Sequence, residues 1–162
     1  MSNQWAIITG ASAGIGAAMF RRFIQHEPNI NCLAVARRLP QLEEVKRQAI
    51  DGLDDDKRSQ HIILSADVST EEGISRIVST LPENSSVKYL IHNAGLLGPI
   101  APLAEIDRST WYKVVSTNLD AHNRLEEIVG SSPTTTGKFN YKTYAVIVKC
   151  LYSIYKQNSI HI

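Results

Sequence analysis

The stretch TGASAGIG, residues 9–16, decides how the rest of the chain is interpreted. It follows a short apolar run at residues 5–8, and apolar side chains at helical spacing come after it. A short apolar run bounded by glycine is typical of a buried strand, and apolar spacing of three and four residues is typical of an amphipathic helix. The sequence therefore predicts a strand over 4–9, a glycine turn, and a helix over 14–26.

The three glycines of this turn each permit something that a side chain would prevent. Gly10 lets the chain turn sharply out of the strand, and Gly16 lets the helix pack closely on the sheet. Gly14 lets the backbone approach a pyrophosphate, to which the helix N-terminus offers free N–H groups and the positive end of its dipole. A turn without a ligand is the alternative, but the strand before it and the helix after it favour nucleotide binding.

Further strands and helices alternate along the chain, which predicts a parallel sheet with helices on both faces. Near-continuous apolar runs are typical of strands that are covered on both faces. The fold class is therefore α/β, with a doubly wound parallel sheet of strand order 3-2-1-4, and a fifth strand is left open. The remaining predicted strands lie at 30–36, 61–65 and 87–92, and the remaining helices lie at 39–50, from Ser69 or Thr70 to Leu81, and in a long segment that Asp107 or Ser109 caps.

Length, charge and composition limit the function classes. The 162 residues, of which 43% are hydrophobic and 20% charged, correspond to one soluble globular domain. The net charge of +1 gives no electrostatic reason to expect binding to nucleic acid or to an anionic membrane. The five histidines and two cysteines are scattered, so neither a metal site nor a disulfide is expected. No basic region followed by an apolar stretch opens the sequence, which predicts a cytoplasmic protein.

Three motifs together resemble the short-chain dehydrogenase/reductase family, whose fold is Rossmann-like. The glycines of residues 9–16 follow the family's spacing Thr-Gly-x-x-x-Gly-x-Gly. The triplet Asn-Ala-Gly at 93–95 ends the fourth predicted strand, as it does in the family, and residues 116–121 resemble the family's Val-Asn-Leu-x-Ala. The resemblance covers about residues 4–129, and the segment 96–105 is weakly similar to that of carbonyl, pterin and diketone reductases.

The resemblance implies a nicotinamide dinucleotide cofactor and assigns residues to its parts. In the family the glycine turn holds the phosphates, an Asp-Val pair after the third strand contacts the adenine, and the Asn-Ala-Gly triplet lines the pocket. The family's counterpart of Asn118 holds a water in a proton relay. Structural alternatives stay open, because Asp67 can precede a helix near Ser69, and Asn118 can satisfy its polar groups within its own helix. The implied cofactor-binding residues are Gly10, Ser12, Ala13, Gly14, Ile15, Gly16, Asp67, Val68, Asn93, Ala94 and Gly95, and the one catalytic residue that can be placed is Asn118.

Arg37 and Arg38 follow the second predicted strand, where dinucleotide folds bind the adenosine ribose. A carboxylate there would accept from both ribose hydroxyls and repel a 2′-phosphate, but Ala36 supplies none. Two guanidinium groups suit a phosphate, so the pattern favours NADP(H) over NAD(H). The alternative is that both arginines are solvated loop charges, and the basic residue that NADP-preferring family members often carry at the position of Ala13 is absent.

Residues 130–162 depart from the family, whose next elements carry a catalytic Ser and a Tyr-x-x-x-Lys pair. In that set the Tyr exchanges a proton with the substrate, the Lys lowers the Tyr pKa, and the Ser hydrogen-bonds the developing oxyanion. Tyr152 and Lys156 fit the spacing, but no suitable Ser precedes them and the run before them is typical of a strand, for which 144–148 is the candidate. The segment contains no Asp or Glu and holds four of the six tyrosines. We therefore expect a cofactor-binding domain at 1–129, a divergent tail at 130–162, and a sheet that is incomplete at its C-terminal side.

Three functions stay open at this point. The first is an NADP(H)-dependent oxidoreductase that reduces a small carbonyl compound or oxidises the alcohol, using Tyr152 and Lys156. The second is a nucleotide-binding or interaction protein without catalysis, which forms a homo-oligomer through the long helix around Asn118. The third is a truncated product, with a tail that comes from a retained intron or a shifted reading frame and no function of its own. Family ancestry favours the first, and the incomplete catalytic set favours the other two.

Overall fold

The computed structural model describes residues 3–54, 60–131 and 142–145, and these form a parallel sheet with helices on both faces. The strands are β1 (Gln4–Thr9), β2 (Asn31–Ala36), β3 (His61–Ser65), β4 (Ser86–His92) and β5 (Lys142–Ala145). The helices are α1 (Gly14–His26), α2 (Leu39–Ala49), α3 (Glu71–Thr80), α4 (Arg108–Val115) and α5 (Ala121–Ser131). A 3₁₀ turn lies at Leu103–Glu105, and a π-helical turn at Ser116–Asp120 joins α4 to α5.

The strand order is β3-β2-β1-β4-β5, and all four pairings are parallel. This confirms the predicted doubly wound sheet and its order 3-2-1-4. The backbone of β5 pairs with that of β4 from Tyr89↔Lys142 to His92↔Ala145. It overlaps, at residues 144–145, the segment 144–148 that the sequence offered as a fifth strand. The division into a domain at 1–129 and a tail at 130–162 stays a prediction. Since the order runs outward from β1 in both directions, the carboxyl ends of β1 and β4 flank a crevice.

The core has two parts, one on each face of the sheet, because successive side chains of a strand point to opposite faces. In β1, Trp5 and Ile7 belong to the core between the sheet and α3 and α5. Ala6 and Ile8 belong to the core between the sheet and α1 and α2. Every residue of β2 is buried, as a strand covered on both faces must be. The apolar runs of the sequence therefore form strands that are buried between two layers of helices.

Two helix starts that the sequence left between alternatives are resolved by side-chain caps. Thr70 caps α3, because its Oγ1 accepts a hydrogen bond from the Gly73 N–H at 3.0 Å. Asp107 caps α4, because its Oδ1 accepts from the Thr110 N–H at 2.9 Å. Each cap satisfies an N–H group that has no partner within its helix.

The long helix predicted after Asp107 is continuous but not uniform. Its π turn changes the angular relation between α4 and α5, since i→i+5 bonding widens one turn. Trp111 of α4 and Leu119 of the π turn are 39% and 48% exposed, although both are apolar. Leu125 and Val129 of α5 are buried. Self-association through this helix stays a prediction.

His61 is a buried histidine at the amino end of β3. Its imidazole lies edge-on to the Phe20 ring at 6.5 Å between centroids, and its Nδ1 has no hydrogen-bond partner. Burial, and secondarily the positive charge of Lys46, lowers the His61 pKa from 6.5 to about 4. An unfolded chain therefore takes up a proton at His61 below pH 6.5 that the folded chain does not take up until about pH 4, and stability is lost over that interval as pH falls.

We expect His61→Phe to reduce the acid sensitivity of the fold. Urea unfolding at pH 7.5 and at pH 5 gives the loss of unfolding free energy for each protein, and the loss should be smaller in His61→Phe than in the wild type. His26→Asn, at an exposed histidine of α1, is the control and should keep the wild-type loss. An equal loss in His61→Phe and the wild type would contradict the assignment of this acid sensitivity to His61.

Candidate functional site

A cleft of about 360 Å³ lies at the carboxyl ends of the central strands. Five segments far apart in the sequence meet there: the glycine turn after β1, the end of β2 with the residues that follow it, the residues that follow β3, those that follow β4, and Thr117 of the π turn. Gly16 and Asn118 do not line the cleft. Twelve predicted cofactor-binding residues do, namely Gly10, Ser12, Ala13, Gly14, Ile15, Arg37, Arg38, Asp67, Val68, Asn93, Ala94 and Gly95.

The glycines of the turn have different surroundings. Gly10 has φ +67°, and a Cβ there would lie 2.8 Å from the Cα of Ala94. A Cβ at Gly16 would lie 2.5 Å from the carbonyl oxygen of Gly10, so Gly16 permits the close packing of α1 on the strand end. Gly14 has φ +57°, and a Cβ there would meet no atom within 4 Å. Gly14 therefore faces open space within the cleft.

The N-terminus of α1 is free to receive an anion. Its N-cap residue, Ala13, makes no side-chain cap, and its first turn contains no acidic residue. The unpaired N–H groups and the positive end of the helix dipole are therefore not neutralised by the helix itself. An anionic group beside Gly14 would supply both the hydrogen-bond acceptors and the negative charge that this terminus lacks.

The hydroxyl of Thr9 joins the ends of β1 and β4. It donates a hydrogen bond to the Ile91 carbonyl at 3.2 Å, and it accepts from the N–H groups of Asn93 and Ala94, both at 3.0 Å. The Asn93 side-chain amide donates in return to the carbonyls of Thr9 and Gly10, both at 3.1 Å. Thr9 is almost fully buried, so these bonds are shielded from water. They attach the glycine turn to the triplet at 93–95.

Two arginines lie along the side of the cleft formed by β2. The Arg38 guanidinium donates to the Ser12 hydroxyl at 3.1 Å, which connects it to the glycine turn. Nη1 of Arg37 lies 3.8 Å from Oδ2 of Asp67, and both side chains are part-exposed. Because a guanidinium has five donors, each arginine keeps donors for a further group.

The sequence offered two interpretations of Asp67, a residue that precedes a helix near Ser69 and a residue of the cofactor site. In the structure Asp67 bonds Ser69 and also lines the cleft. Its Oδ1 accepts from the Ser69 N–H at 2.9 Å and from the Ser69 hydroxyl at 2.7 Å, while Oδ2 faces Arg37. Burial is the largest single effect and raises the Asp67 pKa. The Ser69 hydrogen bonds and the positive charges of Arg37 and Lys113 together outweigh it, so the Asp67 pKa is lowered overall. Asp67 is therefore ionised at neutral pH, and it lines the cleft.

Asn118 lies in the π turn, and its side chain holds a loop rather than lining the cleft. Its Oδ1 accepts from the Leu96 N–H at 2.8 Å, and its Nδ2 donates to the Leu96 carbonyl at 3.0 Å. A Cβ at Gly95 would lie 3.4 Å from that Oδ1, so the loop passes close to the amide. The partner lies 22 residues away in the sequence, not within the same helix. Its neighbour Thr117 is the residue of this turn that lines the cleft.

Several site residues were missed from the sequence. Thr9 carries a usable signal, because it is a polar residue at the end of an apolar strand. The other missed residues lie at strand ends, in the loops after them or in the π turn, where side-chain type says little; they are Val35, Ala36, Ala66, Leu96 and Thr117. The predicted match at Tyr152 and Lys156 lies outside the described residues.

Two findings concern other classes of site. Within the described ranges, no cluster of three or more His, Cys, Asp or Glu side chains is suited to hold a metal ion. Over the same ranges, no helix has the length and apolar character needed to cross a membrane.

Comparisons with known proteins point to one family. The family model for short chain dehydrogenases matches residues 4–129. The chain is 29% identical over 120 residues to a "Probable NADP-dependent dehydrogenase" of Haemophilus influenzae, covering 74% of this chain and 44% of that protein. It is 32% identical over 113 residues to an NADP-dependent 3-hydroxy acid dehydrogenase of Escherichia coli, covering 69% of this chain and 42% of that protein. The chain thus spans less than half the length of these relatives.

A similar fold occurs in a solved structure, the closed form of serine dehydrogenase complexed with NADP⁺. The TM-score is 0.65 at 27% sequence identity, and the match covers 80% of this chain and 48% of that one. The likeness in fold therefore extends over most of this chain and about half of the solved protein.

We expect Thr9→Val to destabilise the protein by about 2 kcal/mol, because the buried N–H groups of Asn93 and Ala94 lose their acceptor. Valine keeps the shape of threonine, so urea unfolding measures the loss of the hydroxyl. Thr9→Ser is the matched control: it keeps the hydroxyl, and we expect it to be clearly more stable than Thr9→Val. A Thr9→Ser protein as unstable as Thr9→Val would contradict the role given to the hydroxyl.

Proposed function

This chain belongs to the short-chain dehydrogenase family, and from that premise we propose that the described cleft binds NADP(H) as part of an oxidoreductase. The observation that carries the proposal is the convergence of the glycine turn, Arg37, Arg38 and the segments at 67–68 and 93–95 on one cleft. The open space at Gly14 beside an uncapped helix N-terminus fits a pyrophosphate. The residues present therefore fit a dinucleotide.

The proposed arrangement assigns a part of the dinucleotide to each wall of the cleft. The turn residues that line the cleft, Gly10 and 12–15, bind the pyrophosphate through backbone N–H groups, and Asp67 and Val68 hold the adenine. Asn93, Ala94 and Gly95 line the path of the dinucleotide across the end of β4. A bound nicotinamide supplies hydride exchange with a carbonyl compound or its alcohol. The chain's own contribution is to bind, to orient and to exclude water along these walls.

The 2′-phosphate of NADP(H) is the group that we assign to Arg37 and Arg38. Both follow β2, where the adenosine ribose lies in dinucleotide folds. Asp67, the acidic side chain nearest to them among the described residues of the cleft, is already paired with Ser69 and Arg37. Two relatives named for NADP dependence, at 29% and 32% identity, support the same preference.

A second candidate is a nucleotide-binding protein without turnover. The observation in its favour is that the described residues lining the cleft include neither Tyr nor Lys, and these are the types that the family uses to exchange a proton with its substrate. Asn118, the one member of the catalytic set within the described residues, has both side-chain polar atoms bound to Leu96. Oxidation of NADPH in the presence of small aldehydes, ketones and diketones separates the two candidates, since only the first predicts turnover.

Binding itself is tested by thermal unfolding with and without NADPH, repeated with NADH. A ligand at one hundred times its Kd stabilises the folded state by about 2.7 kcal/mol, so we expect NADPH to raise the melting temperature. Gly14→Ala should lose this shift, because its methyl group occupies the space proposed for the pyrophosphate. Gly52→Ala is the matched control, since Gly52 also has positive φ and open space but lies outside the cleft. No shift of the wild type with either nucleotide would contradict the proposal.

The arginine assignment predicts a change in cofactor preference. We expect Arg37→Ala/Arg38→Ala to weaken NADPH binding by about tenfold to a hundredfold, the range given by losing charge-assisted hydrogen bonds, and to leave NADH binding nearly unchanged. Isothermal titration calorimetry with both nucleotides measures this. Arg47→Ala, at an arginine of α2 that pairs with Glu44 and lies outside the cleft, is the control. Equal losses for NADPH and NADH would show that the pair does not recognise the 2′-phosphate.

A further inference from the structure

The peptide between Arg37 and Arg38 is held by a side chain of the neighbouring strand. The hydroxyl of Ser65, the last residue of β3, donates a hydrogen bond to the Arg37 carbonyl at 3.0 Å. The backbone pairing of β2 with β3 ends at Ala36↔Ser65, and the Ala66 N–H donates to the Ala36 carbonyl at 3.1 Å. The Ser65 hydroxyl therefore extends the contact between the two strand ends by one residue, to the peptide that joins the two arginines.

We propose that Ser65 is a positioning residue for recognition of the 2′-phosphate: its hydroxyl fixes the peptide between Arg37 and Arg38, and with it the backbone from which both guanidinium groups reach the cleft. This inference rests on the proposed function, which assigns the 2′-phosphate of NADP(H) to this arginine pair. Both arginines line the cleft, whereas Ser65 does not. The Ser65 hydroxyl therefore acts through the arginines, not through a contact of its own with the nucleotide.

The orientation of this peptide affects both arginines at once. Because a peptide unit is planar, rotation of the Arg37 carbonyl changes ψ of Arg37 and φ of Arg38 together. Arg38 is also the N-cap residue of α2, so the helix begins directly after this peptide. A hydrogen bond to the carbonyl therefore restricts the backbone angles from which both side chains extend.

The two arginine side chains approach opposite neighbours of β2. Nη1 of Arg37 lies 3.8 Å from Oδ2 of Asp67, which follows β3. Nη2 of Arg38 donates to the hydroxyl of Ser12 at 3.1 Å, in the glycine turn that follows β1. Since β2 lies between β1 and β3, a rotation of the peptide between the arginines disturbs both contacts.

Preorganisation is the physical reason that a hydrogen bond to the backbone affects phosphate affinity. An arginine side chain loses conformational freedom when it binds a phosphate, and this loss reduces the affinity. The side chain of Arg37 is 52% exposed, so its protein neighbours restrict it only in part. A fixed backbone lowers the remaining entropy loss on binding. NADH lacks the 2′-phosphate, so its affinity does not depend on this ordering.

Two substitutions at Ser65 test the role of the hydroxyl. Ser65→Ala removes it and leaves the strand backbone, and Ser65→Thr keeps a hydroxyl at the same position. Ser79→Ala is the matched control, because the Ser79 hydroxyl also donates to an arginine carbonyl, that of Arg76 at 3.2 Å, on α3 and outside the cleft. Thermal unfolding of each variant without nucleotide checks that the fold is kept.

Isothermal titration calorimetry with NADPH and with NADH measures the nucleotide preference. For Ser65→Ala we expect about threefold weaker NADPH binding, the value of a solvent-exposed hydrogen bond, and unchanged NADH binding. Ser65→Thr and Ser79→Ala should bind both nucleotides as the wild type does. In Arg37→Ala/Arg38→Ala, the addition of Ser65→Ala should cause no further loss of NADPH affinity, because the groups that Ser65 positions are absent.

Three results would overturn the inference. The first is wild-type NADPH affinity in Ser65→Ala. The second is an equal loss of NADPH and NADH affinity, which would assign the effect to the strand end as a whole. The third is a further loss in the variant that lacks both arginines. Failure of the wild type to bind NADPH would refute the proposed function and this inference together, whereas the three results above, with NADPH bound by the wild type, refute this inference alone.

Discussion

The close contact between the glycine turn and the segment at 93–95 constrains the rest of the structure. Side chains are excluded there, because a Cβ at Gly10 or Gly16 would lie 2.8 Å or less from backbone or amide atoms of its neighbours. The polar groups brought together by this approach satisfy one another, since Thr9 and Asn93 each bond the backbone of the other strand end. The cleft exists because this contact closes one side of the crevice at which the strand order diverges.

The electrostatic character of the cleft depends on the N-terminus of α1, which has neither a side-chain cap nor an acidic residue in its first turn. A helix with an acidic first turn or a side-chain cap would neutralise its own N-terminus, and α1 has neither. The charged side chains among the described lining residues are Arg37, Arg38 and Asp67, and the carboxylate of Asp67 is occupied by Ser69 and Arg37. The field in the cleft is therefore positive, which suits the phosphates of a dinucleotide and gives the proposed cofactor its physical basis.

Local sequence patterns predicted the bounds of strands and helices closely. They did not predict features that depend on contacts with residues far away in the chain. The bounds of β1, α1 and β3 agree with the predicted ones, because apolar spacing and glycine act within a few residues. The π turn at Ser116–Asp120 interrupts the long helix without a signal in the apolar spacing, because helical periodicity assumes a uniform helix. The role of Asn118 depends on Leu96, which belongs to a loop 22 residues earlier in the chain.

The sequence by itself determined the family, the alternation of strands and helices, and twelve of the residues that line the cleft. These follow from the spacing of glycines and apolar residues, which constrains the backbone locally wherever the rest of the chain lies. Only the tertiary structure decided which polar groups meet: the Thr9 hydroxyl with the Asn93 N–H across 84 residues, Arg38 with Ser12, and the His92 ring with that of His122. A side chain's hydrogen-bonding capacity is visible in the sequence, but its partner is set by strand pairing and helix packing, which bring distant positions into contact.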